Sequence, residues 1–272
     1  MHLNISFCDD AQANAFHDTG WFIYPLLSEN EIAFLMEAFH RFHHHGNEIP
    51  PFTLCSPDYY LKKETALFLK NYFIPKFDAL FRFYRITGAN FYYKAPHSSV
   101  NVVPPHQDWT FVDEKVSSSI NIWIPLTDVN KENGAYHVIE GSHRWEFTYR
   151  GSNIPSACKG MQYNFDDLKY IPLSKGEAII YDHRLIHATP PNVSGSARIA
   201  IVLNALPLDA QLIHCIQPDR NSNAIDIYEV DEEFYWKYTF SFVQNTMPPG
   251  YKKIKSEWYV APDYSRTCRF SG

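Results

Sequence analysis

Pro105-His106-Gln107-Asp108-Trp109 and, far downstream, His187-Ala188-Thr189 running on to Arg198 are the stretches whose reading decides the fold. One residue separates His106 from Asp108. On an extended strand alternate side chains share a face, so imidazole and carboxylate are expected side by side, with Gln107 pointing away. Two ligands from one strand need a third from elsewhere, and His187 is the candidate. Two histidines and one carboxylate on one face of a metal leave the opposite face open, the ligand set of non-haem Fe(II) oxygenases. A His-x-Asp triplet is common by chance, so the rest of the chain has to support this reading.

The 272 residues suffice for one large domain with a buried core. With 45% hydrophobic and 20% charged residues, the composition is that of a globular protein. Net charge is −6 and no run of Lys or Arg exceeds two residues, which argues against a nucleic-acid surface. Cys8, Cys55, Cys158, Cys215 and Cys268 are scattered without a CxxC pair. They are expected as free thiols in a reducing compartment rather than as disulfides or a zinc site. No signal-peptide pattern and no apolar run long enough to cross a bilayer is visible, so a cytoplasmic protein without membrane contact is expected.

Outward from the core motif, residues 16–22 read as a turn leading into a strand over 21–27. Ser28 and Glu31 form a capping box. Behind it Ile32, Leu35, Met36, Phe39 and Phe42 recur at helical spacing. The run His43-His44-His45 is expected as a solvated helix end, since neighbours on a helix share no face. Ser56-Pro57 reads as the N-cap and first position of a further helix, interrupted after Tyr72 and resuming over 76–84. From Ile86 the texture becomes β: strands are expected around Phe91 and Tyr93, over 100–103, 118–124, 135–139, 178–181 and 197–206. In 118–124 the isoleucines alternate strictly. Asn133-Gly134, Gly141-Ser142 and Lys175-Gly176 are turn signals, and residues 144–170 form a long excursion. Residues 207–272 mix short segments with many aromatics, Phe240 and Phe242 among them. Helices followed by many strands suggest a helical layer against a double-sheet barrel, and residues 1–272 are read as one domain.

Several motifs together resemble one family. Asn133-Gly134-Ala135-Tyr136-His137-Val138-Ile139-Glu140-Gly141-Ser142-His143-Arg144 is similar to the NGxLxVxPGSHR stretch of the phytanoyl-CoA dioxygenase-like (PhyH) family. So are Phe16-x-x-x-Gly20-Trp21 with the Leu26-Leu27-Ser28 that follows, and the distal stretch from Tyr181 through His187 to Asn192 with its step to Arg198. The resemblance spans roughly residues 16–205. It implies a mainly β fold, a double-stranded β-helix (jelly-roll, cupin-like) core flanked by N-terminal helices, with Fe(II) and 2-oxoglutarate as co-substrate. By position it implies His106, Asp108 and His187 as metal ligands. It further implies Arg198 paired with the distal carboxylate of 2-oxoglutarate and Thr189 donating its hydroxyl to that carboxylate. Trp123 and Asn90 are implied as further co-substrate contacts.

A bidentate Arg–carboxylate pair suits a small dicarboxylate. Arg198, Ala200, Val202 and Asn204 should share the inward face of one strand, where a charge is costly unless paired. The alternative for Arg198 is a structural salt bridge. His183 rivals His187, but the strand-like run before it favours a structural role. The implied activity is hydroxylation of an unactivated C–H with release of succinate and CO2, using O2. Halogenation is disfavoured because Asp108 is present, while desaturation and ring formation stay open. No basic cluster for CoA phosphates is evident, so a small-molecule substrate (amino acid, acyl or natural-product scaffold) is expected. Trp109, Phe111, Phe147, Tyr149 and Arg150 are candidates for the mouth of the site. Two other readings stay open: a jelly-roll metal enzyme that does not use 2-oxoglutarate, such as an isomerase or lyase, and a non-catalytic sensor or binding module.

Overall fold

The computed structural model describes residues 4–43, 49–98, 101–238 and 246–264. His44, His45, Val100, Phe240, Phe242 and Cys268 lie outside them. The chain opens with β1 (Ser6–Phe7), α1 (Asp10–Thr19), β2 (Trp21–Pro25), α2 (Glu29–Phe42) and α3 (Tyr59–Phe77). Next come β3 (Phe81–Arg82), β4 (Tyr84–Lys94), β5 (Val103–His106), β6 (Ile120–Pro125) and β7 (Tyr136–Val138). β8 (Lys169–Ile171), β9 (Glu177–Asp182), β10 (His187–Thr189) and β11 (Arg198–Pro207) complete the barrel strands. β12 (Ile213–Ile216), β13 (Ala224–Glu229), α4 (Glu232–Lys237) and β14 (Lys252–Trp258) follow.

Two antiparallel sheets, ordered β2-β9-β6-β11-β4 and β5-β10-β7-β8, form the double-stranded β-helix. Side-chain alternation divides their residues between two cores. Ile120, Ile122 and Ile124 of β6, Ile180 of β9 and Ile199, Ile201 and Leu203 of β11 pack against Leu35 and Phe39 of α2 and Leu69 and Phe73 of α3. Trp123, Ile179, Ala200 and Val202, each one residue out of phase, join Tyr92, Val138 and Ile171 in the barrel interior. The period of two in β6 therefore sorts residues between two buried faces, and all six of its positions are buried. The flanking helices expected from the sequence cover the outer face of the five-stranded sheet.

The capping box of α2 is present, with the Ser28 backbone N–H donating to Glu31 Oε2 at 2.8 Å. Three local expectations are corrected. Phe16 lies on α1 rather than in a turn: Asp9 caps that helix and Gly20, at φ 88°, ends it. With Phe16 as its one buried residue, α1 carries no periodic signal. The cap of α3 is Asp58, which accepts from Tyr60 N and Leu61 N, and not Ser56-Pro57. Finally, α3 runs through Pro75 without a break. Proline removes one backbone hydrogen bond there, but Leu69, Phe73 and Phe77 are fully buried one turn apart, and that face holds the helix on the sheet. Of the segment expected as helix over 76–84, Lys76 and Phe77 end α3, and the rest turns into β3 and the start of β4.

The excursion 144–170 and the three-stranded sheet β12-β13-β14 sit together. Tyr149 and Ile154 pack with Ile213, Cys215 and Ile225, and Leu206 of β11 packs with Leu212 and Phe234. Cys8, Cys55 and Cys215 are free thiols. Among the described residues, no helix is long and apolar enough to cross a membrane.

Candidate active site

Strand register assembles the triad. His106, the last residue of β5, is the direct cross-strand partner of His187, the first residue of β10. Asp108 lies just beyond the end of β5, so the expected common strand holds for His106 only. The carboxylate nevertheless reaches the same place: Asp108 Oδ1 is 3.8 Å from His106 Nε2 and 3.9 Å from His187 Nε2. One ligand atom from each residue lies within 4.8 Å of the others, a spacing that can hold a metal ion. Gln107 points away, donating to the Arg184 carbonyl and accepting from Thr148 Oγ1.

Each histidine is oriented by its other nitrogen. His106 Nδ1 is 2.9 Å from the Pro104 carbonyl and His187 Nδ1 is 3.0 Å from that of Leu185. With Nδ1–H committed to a carbonyl, both Nε2 lone pairs face Asp108. Burial, and next the neighbouring His106, lowers the His187 pKa to about 4, so the imidazole is neutral and ready to coordinate at pH 7. Burial alone would raise the Asp108 pKa, but the imidazoles of His187, His183 and His106 outweigh it and hold the carboxyl below its ordinary value. Asp108 Oδ2 accepts from Asn121 Nδ2 at 3.1 Å and from the Tyr181 hydroxyl at 3.2 Å. His183 is not part of the triad: it is fully buried, 2.8 Å from Ser119 Oγ and 3.2 Å from Asn204 Oδ1.

A cavity of about 80 Å³ adjoins the three residues, lined also by Tyr92, Trp123 and Thr189. Behind it lies a concentration of positive charge. Arg198 is fully buried and its guanidinium lies over the rings of Tyr92 and Trp123, 5.0 and 5.2 Å from their centres. One amino group donates to the Gly134 carbonyl. Nε and Nη2 have no hydrogen-bond partner among the described residues. Lys94, which sequence reasoning missed, is the direct cross-strand partner of Arg198 and is also fully buried. Its ammonium donates to Thr189 Oγ1 at 2.9 Å and to the Pro190 carbonyl. Burial, and next the Arg198 charge, lowers the Lys94 pKa to about 6.

Like charges directly opposite in a ladder are destabilising, and a buried cation without a counter-charge is costly. Unused N–H groups beside a second basic side chain therefore fit an anionic ligand with an acceptor-rich group such as a carboxylate. Gly134 is part of the same cradle: at φ 86°, a Cβ there would stand 2.5 Å from the Pro190 carbonyl oxygen and 2.9 Å from Lys94 Nζ. Trp123 Nε1 is likewise buried and unpartnered. Asn90 is buried on β4 but is not among the residues lining the cavity.

The five residues considered for the mouth do not line this cavity either. Phe147 and Tyr149 pack with β12 and β13. Trp109 and Phe111 meet His214 and His183 edge to face. Arg150 is a structural clamp. It makes a bidentate pair with Glu114 (2.6 and 2.7 Å) and sends Nε to the Asp108 carbonyl at 2.7 Å. Tyr136 and Tyr181, also missed, line the cavity. The one sequence signal for Tyr136 was its place in the NGxLxVxPGSHR-like stretch, where the pattern has leucine.

The family pattern described as phytanoyl-CoA dioxygenase (PhyH) matches residues 37–200. A phytanoyl-CoA dioxygenase domain-containing protein 1 homolog of Dictyostelium discoideum is 30% identical over 118 residues, 40% of this chain and 42% of that protein. This chain thus spans about two fifths of the length of the curated relatives it matches. Among solved structures, the epimerase SnoN in complex with Fe3+, alpha ketoglutarate and nogalamycin RO superposes with a TM-score of 0.59 at 16% identity, covering 75% of this chain and 85% of that one. The alpha ketoglutarate dependent carbocyclase SnoK from nogalamycin biosynthesis gives 0.55 at 18%, covering 75% and 86%. At those identities the likeness is one of fold.

Proposed function

The chain belongs to the phytanoyl-CoA dioxygenase family, and from that premise we propose that it is an Fe(II)/2-oxoglutarate-dependent dioxygenase hydroxylating an unactivated C–H of a small molecule. The observation that carries this reading is the buried Arg198, whose Nε and Nη2 have no partner, next to a triad of two histidines and one carboxylate.

In this reading His106, Asp108 and His187 hold Fe(II). Arg198 grips the distal carboxylate of 2-oxoglutarate through its unused fork, Lys94 adds a second positive charge, and Thr189 and Trp123 Nε1 supply further donors. Asn90, buried on β4 with its Oδ1 unpartnered, is retained as a further co-substrate contact. When bound, the metal and co-substrate supply the oxidising power, taken from O2 as 2-oxoglutarate becomes succinate and CO2. The chain's own residues do the rest. Asn121 and Tyr181 fix Asp108 through Oδ2 so that Oδ1 faces the histidines, the two Nδ1–carbonyl bonds fix the imidazole tautomers, and the aromatic wall of Tyr92, Trp123 and Tyr136 limits water.

SnoN and SnoK are named for epimerisation and carbocycle formation, so ring formation and desaturation remain alternative fates of the same oxidant. Packing of the third sheet onto β11 supports reading residues 1–272 as one domain.

The test is an anaerobic titration of apo-protein with Fe(II) and then 2-oxoglutarate. A visible metal-to-ligand charge-transfer band is expected in wild type and is weakened in Arg198→Ala. Bound iron without a band sinks the co-substrate assignment and favours an isomerase or lyase using the triad alone. His106→Ala, Asp108→Ala and His187→Ala should each lose iron while keeping the wild-type circular dichroism, and any variant that retains full iron affinity removes its residue from the ligand set.

A further inference from the structure

Two phenols face the triad that the chemistry above uses only as supports. Tyr136 and Tyr181 are buried and their hydroxyls are 3.5 Å apart. The Tyr181 hydroxyl is 3.2 Å from Asp108 Oδ2 and 3.5 Å from His187 Nε2, so it sits beside two of the three ligand side chains. Its ring centre is 4.9 Å from that of His187. The backbone around it is held on both sides, since Tyr181 pairs with Trp21 across β2 and with Asn121 across β6. The ring is 1% exposed and lines the cavity beside the triad. A phenol is electron-rich, and the ring carbon next to the hydroxyl-bearing one is two bonds from the hydroxyl oxygen. Fixed proximity of this kind replaces a diffusional encounter.

We propose that Tyr181 is a site of self-hydroxylation, converted to a catechol when the loaded site meets O2 without its small-molecule substrate. This rests on the reading given under Proposed function. The ring C–H bond next to the hydroxyl-bearing carbon breaks and a C–O bond forms with one atom of O2; the displaced hydrogen ends on the new hydroxyl. The second oxygen atom enters the carboxylate of succinate as 2-oxoglutarate loses CO2. Two of the four electrons that reduce O2 come from the oxo acid and two from the ring. Geometry singles out Tyr181 over Tyr136, whose ring stacks on His187 at 5.6 Å with an interplanar angle of 21°. The Tyr136 hydroxyl reaches the other phenol rather than a metal ligand. A catechol at Tyr181 presents two adjacent oxygens to the metal site and so closes it, an off-switch for turnover without substrate.

The experiment uses the full chain, loaded anaerobically with Fe(II) and 2-oxoglutarate and then exposed to 18O2 with no other substrate. Expected are succinate release, a mass gain of one labelled oxygen mapped by peptide sequencing to Tyr181, and, as excess O2 oxidises the metal by one further electron, a growing visible Fe(III)–catecholate band. Tyr181→Phe should lose the band and the label, and the wild-type mapping stands even where that variant does not fold. Succinate release with Tyr181 unlabelled, or with the label on Tyr136 or any other residue, overturns the inference and leaves the dioxygenase reading intact. No succinate and no 2-oxoglutarate charge-transfer band overturns both.

Discussion

Arg150 and Arg198 are both buried arginines, and they differ in whether the fold supplies their anion. Arg150 meets Glu114 in a bidentate pair whose side chains are 6% and 1% exposed, and its remaining N–H groups reach the carbonyls of Asp108 and Thr148. Arg198 has one backbone carbonyl, two aromatic faces and the lysine Lys94 opposite it. Burial opposes both charges. At Arg150 the Glu114 carboxylate outweighs it and the pKa is raised, whereas at Arg198 burial prevails and the pKa is lowered. A closed pair is structure. An open fork at a barrel wall is a place kept for a ligand, because a chain that gained nothing there would not retain so costly a group.

The largest expected effect breaks the closed pair. Glu114→Ala strands the Arg150 charge and should cost about 3–5 kcal/mol of stability in urea unfolding. By contrast, Arg198→Leu in the ligand-free protein should leave the unfolding midpoint at or above wild type. Equal losses in the two variants would erase the distinction between them. Second, 2-oxoglutarate at a hundred times its Kd should stabilise the metal-loaded wild type by about 2.7 kcal/mol, and Arg198→Leu should lose nearly all of this. An undiminished thermal shift would place the co-substrate elsewhere.

The Lys94 effect is smaller, and pH reads it. Its ligand-free pKa is lowered to about 6 by burial and then by Arg198, so it is largely neutral at pH 7.5. A bound carboxylate favours the protonated ammonium and raises that pKa, so binding takes up a proton. Affinity for 2-oxoglutarate should therefore fall as pH rises above about 6 and level off below it. Calorimetry in two buffers of different ionisation heat measures the uptake, and Lys94→Met should abolish it while weakening binding about tenfold, or about 1.4 kcal/mol. No uptake in wild type would mean that Lys94 does not meet the anion. The smallest effect is at Trp123→Phe, which removes one neutral donor and should cost about 0.5–1 kcal/mol of 2-oxoglutarate affinity. A loss as large as that of Arg198→Leu would mean that packing, not Nε1, was removed.

What could be read locally was read. The Ser28–Glu31 capping box and the Asn133-Gly134 turn each depend on a few adjacent residues, whereas His106-x-Asp108, the distal His187 and Arg198 stood out through motifs that resemble the family. The burial code of β6 and β11 was half legible: alternation was visible, but two buried faces look alike in sequence, so the division between Ile122 and Trp123 was not. Helix α1 escaped because it buries a single side chain, Phe16, and the interruption expected after Tyr72 is absent because tertiary packing carries α3 on to Phe77.

By itself the sequence offered the residue types of the candidate metal centre through its motifs, and it determined the passage from helices to barrel strands and the turns that demand glycine, because the last two follow from short-range sterics and periodicity. Only the tertiary structure decided that Lys94 stands opposite Arg198, that Arg150 belongs to Glu114, and that Tyr181 rests against Asp108. Each of those pairings is set by cross-strand register or loop packing between distant segments. Their energies come from burial, which no single stretch of chain specifies.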